Sequence, residues 1–357
     1  MSNHVPEKIN GWQMTAPELE LKQGQYDPPK LGDGDVLVKV AGCGLCHTDM
    51  SFMFGGVKTR AGLPLTLGHE ISGTVVETGS KMAHLRDKKV VVPAVLPCGE
   101  CDLCRKGRGN ICRKQVMPGN DFHGGFADYA CVPGRFMAVV EDLKGFDLAE
   151  LCVVADAVTT PLMAIKRAGI QEGDLAIFIG VGGIGGFGVQ VAAALGATVV
   201  AIDIDGKRLE KLRKFGAAHT VDVSGKDGKA VQKEIRDLIK GASLPGYGWK
   251  VFETSGTAAG QDLAFSLLSF AGTLAVVGFT MDKVTVRLSN LMAFDAGAFG
   301  IWGCLPEYYP EAIGMVLDRK IDVRSFCERH PMSRINEVIR KAKDHKLEKR
   351  AILEPDF

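Results

Sequence analysis
A chain of 357 residues is long for a single hydrophobic core, so two domains are expected. Hydrophobic residues at 46% and charged residues at 24% describe an ordinary soluble globular protein. A formal net charge of +1 gives no reason to invoke nucleic acid or a membrane surface as a partner.

The amino-terminal stretch from Met1 to Lys22 carries Glu7, Lys8, Glu18 and Glu20 and no apolar core, so no secretory signal is expected and the cytoplasm is the default location. Residues 1 to about 155 read as mainly strands and loops. Asp35-Val36-Leu37-Val38-Lys39-Val40 alternates like a half-buried strand, and Ile71 to Val76 does the same. Gly42 and Gly44 then permit the close backbone approach that a metal ligand on a turn needs, ahead of Cys46. His69 stands between Gly68 and Glu70. Taken alone, Cys46 and His69 each read as ordinary core residues.

Ten cysteines are many, and Cys98, Cys101, Cys104 and Cys112 crowd together with two, two and seven residues between them. Such crowding points to metal rather than disulfides, and four thiolates around one tetrahedral zinc leave no open position, which makes the site structural. An iron-sulfur cluster is the rival, although the long last gap and the absence of proline after the fourth cysteine weigh against it. Arg105, Lys106, Arg108, Arg113 and Lys114 surround these cysteines in sequence. They would partly neutralise the sulfurs, form a plain solvated loop, or offer a phosphate-binding surface. Cys43, Cys131, Cys152, Cys304 and Cys327 are scattered and read as buried thiols. His123 is either a solvent-exposed loop residue or a group near substrate.

From about 158 to 298 strands alternate with helices, the pattern of a parallel sheet covered on both faces. Leu175 to Ile202 carries no charge over 28 residues and invites a membrane span, but seven glycines interrupt it. Strand, glycine turn, helix and strand explain it better: Leu175 to Ile179, then Gly180-Val181-Gly182-Gly183-Ile184-Gly185, Phe187 to Leu195, and Thr198 to Ile202. Gly180 permits the turn, Gly182 lets backbone amides reach a pyrophosphate, and Gly185 brings helix and strand close. Asp203, 23 residues beyond Gly180, should accept hydrogen bonds from the adenosine ribose and repel a 2′-phosphate, which favours NAD; Arg208 nearby is the feature that would accommodate that phosphate. Helices are expected at Lys207 to Phe215 and around Val231, Ile235, Leu238 and Ile239, with buried strands at Trp249 to Thr254 and Gly272 to Gly278.

Gly42-Cys43-Gly44-Leu45-Cys46-His47-Thr48-Asp49, followed by Gly68-His69-Glu70 with Gly73, Glu77 and Gly79, resembles the metal-binding signatures of the zinc-dependent medium-chain alcohol dehydrogenases. The resemblance spans nearly the whole chain. It implies an α/β fold, with a doubly wound parallel-sheet (Rossmann) NAD-binding domain at 158–298. A mainly-β GroES-like catalytic domain would be formed by 1–157 and 299–357, with a structural zinc lobe at about 95–115. It further implies a catalytic zinc on Cys46, His69 and Asp156, with a fourth position left open. Asp156 falls where many members carry cysteine and supplies the same unit of negative charge. Two anionic ligands bring the ion's charge to about zero, so Glu70 is expected as a supporting or only occasional ligand. By the same resemblance Thr48 takes the proton from the alcohol, His47 lies on the pyrophosphate, and Arg208 sits by the ribose or adenine. Ala298 to Gly303 would be the edge strand through which members pair, giving a homodimer or homotetramer.

Two departures stand out. The family's glycine-aspartate-arginine-valine turn is Asp87-Lys88-Lys89-Val90 here, which suggests a small local rearrangement, and a relay histidine of some members is replaced by Ser51. Ile9-Asn10-Gly11-Trp12-Gln13-Met14 and Met117-Pro118-Gly119-Asn120-Asp121-Phe122-His123 resemble members acting on a cyclic hydroxyacyl-CoA thioester in anaerobic aromatic degradation. The expected reaction is oxidation of a secondary alcohol to a ketone with NAD. A zinc-assisted hydratase or lyase activity on an enoyl-CoA and a general alcohol or polyol dehydrogenase are the alternatives.

Overall fold
A computed structural model describes residues 6–357, so residues 1–5 of the stretch read as lacking a secretory signal lie outside the described residues. The chain forms two compact units, one of Met1–Thr159, Gly303–Leu317 and Val323–Phe357, the other of Thr160–Trp302 and Asp318–Asp322.

The first unit is built on a seven-stranded sheet. Its strands run in the order Cys327–Pro331, Arg350–Glu354, Asp35–Gly44, Glu70–Thr78, Lys89–Val92 and Ala138–Val139, and Tyr129–Pro133 also pairs with Asp35–Gly44. Every pairing is antiparallel except that of Cys327–Pro331 with Arg350–Glu354. A three-stranded antiparallel sheet of Lys22–Tyr26, Ile9–Met14 and Leu65–Thr66 accompanies it. The strand expected to be half-buried at Asp35 to Val40 runs on to Gly44; one face is buried throughout, and the other is exposed at Lys39 but buried at Leu37 and Cys43. Val36, Val38 and Val40 enter the main core, whereas Leu37 points the other way, into a small cluster with Ile9, Val76 and Ala127. Alternation along a strand assigns faces; it does not say that one of them is wet. Asp87 stands in the divergent turn and takes left-handed backbone at φ +63, a conformation aspartate tolerates better than most side chains.

The second unit carries six parallel strands in the order Ala217–Asp222, Thr198–Asp203, Leu175–Ile179, Lys250–Glu253, Thr273–Val276 and Gly297–Gly300. The order reverses beside Leu175–Ile179, the switch point of a doubly wound dinucleotide fold. All five residues of that strand are buried, and Phe178 stacks on Phe252 of its neighbour at 4.6 Å. Helix Gly228–Gly241 starts where the Asp227 carboxylate accepts the Ala230 N–H, and it lays Val231, Ile235 and Ile239 on the sheet. Helix Gly206–Leu212 stops short of the expected Phe215, after burying Leu209 and Leu212. The charge-free run resolves into strand, turn, helix and strand, and among the described residues no single helix is long and apolar enough to cross a membrane.

Candidate active site
Cys46 leaves strand Asp35–Gly44 and caps the amino end of helix His47–Phe54 in extended backbone. Three residues on, the Asp49 carboxylate folds back and accepts the Cys46 N–H at 3.0 Å, a capping arrangement that fixes the turn. Its other oxygen accepts the Gly68 N–H at 3.1 Å and lies 3.5 Å from His69 Nδ1. Gly68 has φ +93, and a Cβ there would lie 2.7 Å from Cys43 Sγ, so only glycine brings His69 this close. Asp156 closes the 3-10 run Leu148–Ala155. Its Oδ2 lies 3.5 Å from Cys46 Sγ and 3.7 Å from His69 Nε2.

One donor atom from each of Cys46, His69 and Asp156 thus falls within 4.8 Å of the other two. Metal–ligand bonds of about 2.0–2.3 Å at tetrahedral angles set neighbouring donors roughly 3.3–3.7 Å apart, so this set could hold zinc. The local field agrees. Burial opposes a charged imidazole, yet the facing Asp49 and Asp156 carboxylates outweigh it and raise the His69 pKa well above the usual range.

Glu70, expected in a supporting role or as an occasional ligand, lies outside this group of three donors. Arg350 holds it with two bonds, Nε to Oε2 at 2.9 Å and Nη2 to Oε1 at 2.5 Å, and Oε1 also accepts the Ala157 N–H at 3.0 Å. Both side chains are almost wholly buried. Burial raises the Glu70 pKa against the pull of Arg350. The pair carries no net charge, and through Ala157 it braces the residue next to Asp156. Thr48 is half-buried with its hydroxyl 3.8 Å from Cys46 Sγ, and His47 is exposed one residue earlier. Ser51 donates to the His47 carbonyl at 2.9 Å, so its hydroxyl is engaged within its own helix. His123 is half-buried rather than solvent-exposed: Nδ1 accepts the Thr66 N–H at 3.1 Å and the ring stacks on Tyr26 at 4.0 Å.

The four cysteines of the lobe converge. Their sulfurs lie 3.5 Å apart for Cys98 and Cys112, 3.5 Å for Cys101 and Cys104, 3.6 Å for Cys101 and Cys112, and 3.9 Å for Cys98 and Cys104. Bonds of about 2.3 Å in a tetrahedron require sulfurs roughly 3.8 Å apart, so this set also could hold zinc. The Lys114 N–H points at Cys112 Sγ from 3.3 Å. Arg105 and Lys114, read as neutralising the sulfurs, pair instead with Asp102 and Glu100.

In the second unit Gly180 has φ +82, and a Cβ on it would lie 2.4 Å from Ser255 Cα. A Cβ on Gly185 would lie 2.0 Å from the Gly180 carbonyl oxygen, whereas one on Gly182 would meet only Arg208 Nη1, at 3.8 Å. The turn is therefore closed behind and open at Gly182, a cradle suited to a pyrophosphate. The Asp203 carboxylate accepts the Val181 N–H at 2.7 Å and the Asp205 N–H at 3.0 Å. Asp205 caps helix Gly206–Leu212 and pairs with Arg208 at 3.4 Å.

The match to known proteins follows the same division. Residues 32–142 match the alcohol dehydrogenase GroES-like domain and residues 183–318 the zinc-binding dehydrogenase domain. An alcohol dehydrogenase of Geobacillus stearothermophilus is 29% identical over 94% of this chain and 95% of its own. An L-threonine 3-dehydrogenase of Pyrococcus horikoshii is 30% identical over 84% of each chain. Among solved structures, acetophenone reductase from Geotrichum candidum in complex with NAD superposes with a TM-score of 0.84, at 25% identity over 98% of each chain.

Proposed function
Because the chain belongs to the zinc-type medium-chain alcohol dehydrogenase family, we propose that Cys46, His69 and Asp156 form the catalytic zinc centre at which it oxidises a secondary alcohol to a ketone with NAD. The observation that carries this reading is the convergence of three different donors, with Asp49 oriented behind His69. Zinc held there supplies the Lewis acidity that lowers the pKa of an alcohol hydroxyl, and the dinucleotide accepts the hydride.

The chain's own residues set the conditions for that chemistry. A Cys46 thiolate and an Asp156 carboxylate offset the dication's charge, and Arg350 keeps the Glu70 charge from adding to theirs. The Thr48 hydroxyl accepts the proton that the alcohol gives up and passes its own on toward solvent through the ribose. On the nucleotide side, Gly180, Gly182 and Gly185 shape the pyrophosphate turn, with His47 on the pyrophosphate and Arg208 by the ribose or adenine. Asp203 is pinned by two backbone N–H groups and keeps its charge where a 2′-phosphate would lie, which supports NAD over NADP. The division into a catalytic domain of 1–157 and 299–357 and a nucleotide domain of 158–298 belongs to the same reading. So does pairing of two copies through Gly297–Gly300, which among the described strands pairs with Thr273–Val276 alone. The cytoplasm is the location proposed with it.

For the substrate, the finer reading is the allylic hydroxyl of 6-hydroxycyclohex-1-ene-1-carbonyl-CoA, oxidised to the 6-oxo thioester. What supports it is the resemblance of Ile9–Met14 and of 117–123. A spectrophotometric screen of NADH formation tests it by setting cyclic hydroxyacyl-CoA thioesters against simple secondary alcohols and polyols. Turnover confined to simple alcohols or polyols rejects the thioester and keeps the dehydrogenase. Incubation with the enone and no NAD reports any hydratase activity.

A further inference from the structure
Asp156 hangs on the end of a 3-10 run rather than inside a helix or strand, with φ −142 and ψ −54. Nothing in its own backbone geometry fixes where the carboxylate points, so the flanking peptides must be held from outside. On the carboxyl side Glu70 does this through the Ala157 N–H. On the amino side the Ala155 carbonyl accepts the Tyr309 hydroxyl at 2.5 Å, and Thr159 adds a longer contact of 3.2 Å from within the same segment.

Tyr309 is the first residue of helix Tyr309–Leu317 and is 1% exposed. Its oxygen donates to Ala155 and simultaneously accepts the Ala94 N–H at 3.1 Å. Ala94 is itself buried, four residues ahead of Cys98 in the segment that enters the cysteine lobe. One phenol therefore ties the residue before Asp156 to the chain leading into the lobe. Phenylalanine would fill the same space and leave a buried N–H without its acceptor and a carbonyl without its shorter donor.

We propose that Tyr309 is a positioning residue for the catalytic metal centre, holding the Ala155–Asp156 peptide so that the Asp156 carboxylate meets Cys46 and His69. This rests on the reading of Asp156 as a zinc ligand. Partners that orient a metal ligand typically change metal affinity by about 10–100-fold when removed.

The test uses the full-length protein with cobalt in place of zinc at the catalytic site, reading metal affinity by chelator competition and coordination by the visible absorption band of cobalt. Tyr309→Phe is expected to weaken catalytic-site affinity by about tenfold and shift the band, with the lobe metal and NAD affinity unchanged. Val316→Ala, which thins the core under the same helix and leaves the hydroxyl in place, is expected to lower the melting temperature and change neither metal reading. If Tyr309→Phe leaves affinity and band as in the parent while Asp156→Asn loses the metal, the positioning role is overturned and the zinc centre stands. If Asp156→Asn itself keeps the metal, the ligand assignment falls and the proposal with it. Should Tyr309→Phe fail to fold, site-specific 3-fluorotyrosine at position 309 alters the donor strength of the hydroxyl without removing it. A shifted cobalt band then supports the proposal, and an unchanged one overturns it.

Discussion

Asp49 Oδ1 lies 3.5 Å from His69 Nδ1, which leaves Nε2 facing Asp156 and Cys46. The same carboxylate accepts backbone N–H groups from Cys46 and Gly68, so one buried acid sets both the direction of the imidazole and the spacing of the segments that carry two ligands. Asp49→Asn keeps the size of the side chain and removes its charge. Catalytic-site zinc affinity should fall about 10–100-fold, read by chelator competition, while the lobe zinc stays bound. Equal loss from both sites would mean that Asp49 serves the fold and not the centre.

Asp156→Asn should abolish NADH formation while leaving NAD affinity within a factor of about two, because the nucleotide turn belongs to the other unit of the chain. The amide keeps the shape and loses the negative charge that offsets the dication. Steady-state kinetics and NAD titration of the same preparation separate the two effects. Full turnover in this variant would remove Asp156 from the ligand set.

Glu70 and Arg350 predict an asymmetry in stability. Arg350→Met leaves a carboxylate buried without its cation and should cost about 3–5 kcal/mol. The double variant Glu70→Gln, Arg350→Met removes both charges and should recover a large part of that loss. Urea unfolding of the three proteins gives the comparison, and a double variant as unstable as the single one would show that the pair's charge is not what matters.

How much of this could be read from the sequence follows from how local each signal is. The spacing of Cys98, Cys101, Cys104 and Cys112 and the run from Leu175 to Asp203 are short enough to state their own geometry, and both fold as they read. Asp49 was within reach: an acid three residues after the residue that opens a helix is a capping pattern, although here it was seen only as part of a motif. Arg350 and Tyr309 gave no such sign. Arg350 finds Glu70 across 280 residues, and Tyr309 finds Ala94 across 215 and Ala155 across 154, so only the closed sheet brings them together. For the same reason the sequence leaves Glu70 between a supporting role and occasional ligation, since its partner Arg350 is out of view there.

Asp203→Ala removes the acceptor of the Val181 and Asp205 N–H groups as well as a charge. NAD should bind about tenfold or more weakly from the lost charge-assisted bonds alone. NADP should lose less, so the ratio of NAD to NADP affinity should narrow. Isothermal titration with both dinucleotides measures that ratio. A uniform loss for the two would assign Asp203 to holding the glycine turn and not to recognition of the ribose.

Arg324 and Arg329 grip the acids that open the 3-10 run ending at Asp156, and this should give the first unit a marked acid limit. Arg324 bonds both oxygens of Glu150, from Nε at 2.7 Å and Nη2 at 2.9 Å, and Arg329 bonds Asp147 at 2.8 Å. Burial works against ionisation of both acids. For Asp147 it is outweighed by the Ala149 N–H and Arg329, and for Glu150 by Arg324, so both pKa values lie below the usual carboxylate range. A carboxylate depressed in the folded state binds its proton first in the unfolded chain. Its contribution is therefore present above the unfolded value of about 4 and is lost as pH falls through the lower folded value. Asp147 is half exposed, and solvent screening limits its pair with Arg329 to about 0.2–1 kcal/mol. Arg329→Met, which also frees Glu354, should accordingly lower the urea midpoint at pH 7, and the difference from the parent protein should shrink as pH falls below about 4. A difference that stayed constant across that range would mean that Arg329 contributes by packing and not by charge.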